Sequence, residues 1–312
     1  MQTSTSTSRS IAGSESGFSI VELMVTTLVL TVVSGVVMSG VMNMTQLNST
    51  VVNRTSMFAG VRNATALLEQ EVGQAGRVSL PAIVKLQGAV VADTTAAVAV
   101  TSADNMFVGE HLVLGAGTNA ETVTLSAVDH GANTITATYL YNHAANEPVM
   151  AAGAFSSGVV PPTVADGSTD WVLKIFGDIN GTGDMVYVEY TCDIAKGRLY
   201  RNQMAWDAAK KEEPSVEQIL VDNVQPNPNN TACFVYQTKT VNKVPFVIGV
   251  AITLTVQSQE EDPVTHEYQK ESKALLNVSP RNVFNAWQLA SLDIDNRVQP
   301  TPDEITKLLP AN

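Results

Sequence analysis

The spacing of apolar positions changes twice along the chain. Phe18 to Met44 forms a mainly apolar run, and no charged residue occurs from Leu23 to Asn53. As a helix rising about 1.5 Å per residue, this run is long enough to cross roughly 30 Å of hydrocarbon. Further on, Met57, Val61, Ala64, Leu68, Val72 and Ala75 recur at intervals of three and four, which marks one face of an amphipathic helix. No proline interrupts the chain between Met1 and Pro81, and Gly73 and Gly76 supply stop signals. The pattern predicts a single long helix over residues 18–76, apolar all round in its first half (18–44, transmembrane) and amphipathic in its second. Gly35 and Gly40 are its points of looseness.

Beyond Pro81 the period becomes two. Glu121 to Val128 alternates polar residues with Val123, Leu125 and Ala127, the turn-forming stretch Asp129 to Asn133 follows, and Thr134 to Tyr141 alternates again. This predicts a hairpin. The surrounding stretch, low in charge and rich in Ala, Val and Thr, reads as a β-rich insertion over 77–160, and Pro161-Pro162 falls in the loose link that follows it. Strands are predicted at Trp171–Phe176, Met185–Thr191, Leu199–Asn202, Cys233–Gln237, Phe246–Gln257 and Glu267–Asn277, forming one antiparallel sheet in a headpiece over 161–290. Residues 291–312 read as a C-terminal tail. The expected fold is therefore α+β: a long N-terminal helix inserts in a membrane and packs its amphipathic half on the sheet, so that both bury their apolar faces.

Residues 1–17 are polar, rich in Ser and Thr, and end at Gly17. In an ordinary secretory signal the apolar region precedes the cleavage site and is discarded, whereas here the polar leader comes first. Glu22 stands inside the apolar run, where an unpaired carboxylate costs several kcal/mol by order of magnitude. Cleavage between Gly17 and Phe18 would create an α-amine four positions earlier, able to pair with it in the same or a neighbouring copy.

The stretch Gly17-Phe18-Ser19-Ile20-Val21-Glu22-Leu23-Met24-Val25 resembles the class III signal of type IV prepilins and type II secretion pseudopilins. The resemblance implies that a prepilin peptidase cuts after Gly17 and methylates the new N-terminal Phe18, and that Glu22 guides subunit docking. Glu15 and Ser16 depart from the Lys or Arg common there, which weakens the positive-inside signal. The helix end Leu67 to Gly76 resembles PilW-type minor pilins, as do Val221 to Val224 leading into Phe234-Val235-Tyr236, and Val278 to Asn282. Residues 82–155 and those after Trp287 have no counterpart in the resemblance.

Charge and chemistry narrow the picture further. Net charge is -12, the sequence pI is about 4.7 and no basic patch occurs, so direct nucleic-acid binding is not expected. Cys192 and Cys233 fall in neighbouring predicted strands, which suits one disulfide in an extracytoplasmic compartment, with two buried free thiols as the competing reading. Asp178, Asn180, Thr182 and Asp184 bear oxygen at alternate positions around Gly181 and Gly183, resembling the first half of a calcium loop. Glu189, the twelfth position, belongs to a predicted strand, and an ordinary Asx turn explains the same residues. His111, His130, His143 and His266 are scattered singly, and no phosphate loop, nucleophile elbow or Cys/His signature occurs. The chain reads as a non-enzyme without cofactor, apart from the calcium alternative.

The functional expectation is a minor pilin of a type IV pilus. Such a subunit is held in the bacterial inner membrane with a periplasmic headpiece until prepilin peptidase processing. Its partners are other pilins or pseudopilins, met through the N-terminal helix. A J-type pseudopilin of type II secretion, and a pilin-anchored adhesin using the insertion as its recognition element, are the alternatives.

Overall fold

The computed structural model describes residues 17–211 and 218–310, apart from the side chains of residues 275–277. The leader before Gly17 therefore lies outside the described residues. Two compact units separate: one comprises the chain up to Val52 together with Asp262–Glu267, the other Asn53–Glu261 and Tyr268 onward.

Helix α1 runs without a break from Ile20 to Gln74, straight through Gly35 and Gly40. Within the first unit every residue from Gly17 to Asn48 is exposed. Within the second, Met57, Val61, Ala64, Leu68, Val72 and Ala75 are buried as the spacing predicts, joined by Thr65 and Glu71. Gly76 ends the helix at φ +83, the left-handed conformation that glycine adopts without strain. Asn282 Nδ2 donates to the carbonyls of Gln74 at 2.9 Å and Ala75 at 3.4 Å, satisfying acceptors the helix end leaves open.

The insertion is a closed barrel. Strands β1 (Val84–Lys85), β2 (Thr94–Ala99), β3 (His111–Leu114), β4 (Glu121–Asp129), β5 (Thr134–Tyr139) and β6 (Pro148–Ala151) lie in the order β1-β6-β3-β4-β5-β2. A bridge between Leu86 and Val100 joins the two ends, with Gln87 N–H donating to Ala99 O and Thr101 N–H to Lys85 O. Closure removes the sheet edges. The expected hairpin is β4–β5, paired antiparallel with Val128 opposite Ile135. Val123, Leu125, Ile135, Ala137, Leu112 and Leu114 point inward and fill the barrel, which is a packed core and not a pore.

The headpiece carries two four-stranded antiparallel sheets where one was expected. After β7 (Ala154–Phe155), the first sheet orders β8 (Val172–Gly177), β9 (Val186–Asp193), β10 (Arg198–Ala205) and β11 (Ile219–Asp222) as β11-β10-β9-β8. The second is centred on β14 (Val244–Gln257), which pairs with β12 (Val224–Gln225), β13 (Phe234–Val241) and β15 (Lys270–Val278). Asn223, at φ +59 between β11 and β12, lets consecutive residues enter different sheets. Both sheets share one apolar cluster with α1, from Leu68 and Val72 through Ile175 and Val188 to Val250 and Ile252.

The expected tail from residue 291 is part of the core. After α2 (Arg281–Ala290), strand β16 (Val298–Gln299) pairs in parallel with β7. Helix α3 (Asp303–Leu308) then buries Ile305 and Leu308 against Phe155, Phe176, Tyr187 and Trp206. Gln299, fully buried, accepts from His111 N–H at 2.8 Å and donates to His111 O and Ala152 O at 2.7 and 2.6 Å. A single amide thereby ties the first residue of β3 to the C-terminal segment.

Candidate functional site

The residues singled out at the N-terminus open α1. Gly17, Phe18 and Ser19 precede the first helical residue, and Phe18 is 74% exposed. Ser19 caps the helix: its carbonyl accepts from Leu23 N–H at 3.0 Å and its Oγ from Val21 N–H at 3.3 Å. Glu22 lies in the first turn, where a carboxylate faces the positive end of the helix dipole. Phe18 stands two residues before the helix, so in this uncleaved chain it does not occupy the helical position that the four-residue spacing suggested.

Several hydroxyls along the first part of α1 bond within the helix. Thr26 and Thr27 donate to Leu23 O, Thr31 to Thr27 O, Ser39 to Val36 O and Thr45 to Val41 O, at 2.7–3.0 Å. Such bonds remove the cost of carrying hydroxyls into hydrocarbon. The apolar half of α1, which exposes Leu23, Val25, Leu28, Val32 and Val36 and buries no residue before Asn48, is compatible with a membrane anchor.

The remaining sequence candidates fall in the headpiece. Cys192 and Cys233 are joined as a disulfide between β9 and the residue before β13. Asp178 is fully buried; its Oδ1 accepts from Thr182 N–H at 2.9 Å, four residues on rather than the two of an Asx turn, and its Oδ2 lies 3.5 Å from Arg77 Nε. Asn180, Thr182 and Asp184 are exposed. Asp178 Oδ1 is thus taken by the Thr182 amide, while the buried Oδ2 has no hydrogen-bond partner and keeps only the ion pair to Arg77. Trp206 is buried, Trp171 is partly exposed and Trp287 packs beside Phe284.

Two polar clusters were not anticipated. Glu71, on the buried stripe of α1, accepts from Tyr190 Oη and from Arg201 Nε at 3.1 Å. Burial and the adjoining Glu71 carboxylate together push the Tyr190 phenol far up. In the barrel, His143 is buried between Glu121 and Glu147, with 2.7 Å contacts from Nε2 and Nδ1 respectively. Both clusters left a trace in the sequence. Glu71 interrupts the stripe between Leu68 and Val72, and Glu121 has the same strand parity as the inward Val123 and Leu125. Comparison with protein-family models, curated proteins and solved structures gives no match for this chain.

Proposed function

We propose that this chain is a prepilin-like structural subunit. It is cleaved after Gly17, methylated on Phe18 and assembled through α1 into a type IV pilus, with the headpiece on the periplasmic or outer side of the bacterial inner membrane. The observation that carries this reading is the charge pattern of α1: between Phe18 and Asn53 the only charged residue is Glu22, four positions after the proposed new terminus. A carboxylate kept in an otherwise uncharged segment calls for a partner. The amine freed by cleavage, in the same or a neighbouring subunit, is the partner that processing would supply. The work of the subunit is mechanical: apolar helix halves bundle, the Glu22 pairing sets their axial register, and the headpiece is carried outward.

The test is intact mass and N-terminal sequencing of membrane-derived protein, made with and without an active prepilin peptidase, with Glu22→Ala alongside. A chain that starts at N-methylated Phe18 only when the peptidase is present supports the reading. An intact N-terminus, or a cut elsewhere, removes it. The expected Glu22→Ala product is processed but fails to enter filaments.

A further inference from the structure

The His143 cluster has a geometry that only one protonation state satisfies. A neutral imidazole donates from one nitrogen and accepts at the other, whereas an imidazolium donates from both. Here both ring nitrogens face carboxylate oxygens at 2.7 Å: Nε2 meets Glu121 Oε1 and Nδ1 meets Glu147 Oε2. Were His143 neutral, one nitrogen lone pair would point at a carboxylate inside a buried site.

The other carboxylate oxygens hold backbone. Glu121 Oε2 accepts from Leu140 N–H at 2.8 Å, Glu121 Oε1 also from Tyr141 N–H at 3.2 Å, and Glu147 Oε1 from Ala144 N–H at 3.0 Å. The cluster thus fastens three amides of the rim loop between β5 and β6. His143 also pairs with Val90 across the rim through both backbone groups, at 2.8 and 3.0 Å. This loop presents Leu140, 61% exposed, and Tyr141, 46% exposed, beside Val91, 65% exposed.

We propose that Glu121, His143 and Glu147 form a pH-sensitive clasp: protonated His143 holds the rim loop 140–147 closed, and loss of its proton releases the Glu147 half. Glu147 is the half that lets go, because its side chain is 29% exposed and can turn to water, whereas that of Glu121 is 4% exposed and bound to two amides. The titratable groups facing the ring are Glu121 from β4, Glu147 from the loop itself and Tyr139 from β5, whose ring centroid lies 6.5 Å away. Burial pushes the His143 imidazole down, but its bonds to Glu147 and Glu121 outweigh burial and the net shift is upward. Tyr139, pushed up to about 12 by burial and the Glu121 charge, stays neutral throughout. Gly115 makes room for closure: a Cβ there would stand 2.7 Å from Glu147 Oε2 and 3.1 Å from His143 Nδ1.

The sign follows from linkage. The clasp is complete below the ordinary histidine pKa and is lost as pH rises through the higher folded value. The experiment uses the full-length protein in detergent. Exchange at the His143 C2 proton, read by mass spectrometry, gives the titration midpoint. Amide exchange of the peptide covering 140–147, corrected for the intrinsic pH effect, gives loop opening. The expected midpoint lies above 6.5, falls in Glu147→Gln, and coincides with a loss of about tenfold in loop protection while β9 is unchanged. Gly115→Ala, which wedges the Glu147 side, should show the opened loop at every pH. A wild-type midpoint at or below 6.5, or loop protection that does not change through the midpoint, overturns the proposal. Because Glu147 lies at the rim, its variant keeps the test decisive if substitution of His143 itself prevents folding.

Discussion

Glu110 makes stability depend on pH in a way that one substitution isolates. It stands just before β3, fully buried, with Oε2 accepting from Phe107 N–H at 3.3 Å and Oε1 without a hydrogen-bond partner. Burial pushes its carboxyl from 4.5 up to about 8. Between those values the native state holds a proton that the unfolded chain has released, so stability falls as pH rises through the window. The interval is about 3.5 units, and at about 1.4 kcal/mol per unit the loss approaches 5 kcal/mol by pH 8. Glu110→Gln keeps the shape and the acceptor for Phe107 but cannot ionise. Urea unfolding of both full-length proteins in detergent, followed by tryptophan fluorescence from pH 5 to 8, measures the difference. The wild type should lose stability relative to the variant by about 1 kcal/mol or more per unit. The His143 clasp also weakens as pH rises, but it is common to both proteins and cancels. Curves that run parallel across this range would refute the assignment of a buried, neutral Glu110.

Three further outcomes are expected. Glu71→Ala strands Arg201 and the Tyr190 hydroxyl under α1 and should cost about 3–5 kcal/mol in chemical denaturation, with Glu71→Gln intermediate. The double variant Cys192→Ser, Cys233→Ser opens a loop whose ends are 41 residues apart and should lower stability by about 4 kcal/mol, and non-reducing mass spectrometry of secreted wild type should find no free thiol. Calorimetric titration with calcium should give no heat and no thermal shift, because Asp178 already serves Thr182 and Arg77.

What the sequence made legible follows from the range of the interactions. Period and length alone located α1, and strict alternation located the β4–β5 hairpin, because both signals reside in neighbouring residues. Most headpiece strands were also placed within a few residues, from Val172 to Gly177 through to β14 and β15. Their division into two sheets was not legible, since it turns on Asn223 redirecting the backbone between two short strands. Closure of the barrel rests on a bridge from Leu86 to Val100, and strands of two residues carry no period. The C-terminal segment read as a tail for the same reason: its pairing with β7 links residues 144 positions apart. In the candidate N-terminal site, Gly17, Phe18 and Glu22 stood out because their signal is contiguous. His143 did not, because its carboxylates come from different elements, Glu121 lying 22 residues away.

The placing of β16 and α3 also sets an order of assembly in time. A chain that emerges N-terminus first releases its barrel strands well before Gln299 exists to hold His111, and Phe155 and Phe176 wait for Ile305 and Leu308 to cover them. Contacts across so long a stretch of chain form late. The headpiece core is thus closed only when Val298 to Leu308 arrive, so a chain that stops before them is left open at the core rather than merely shortened.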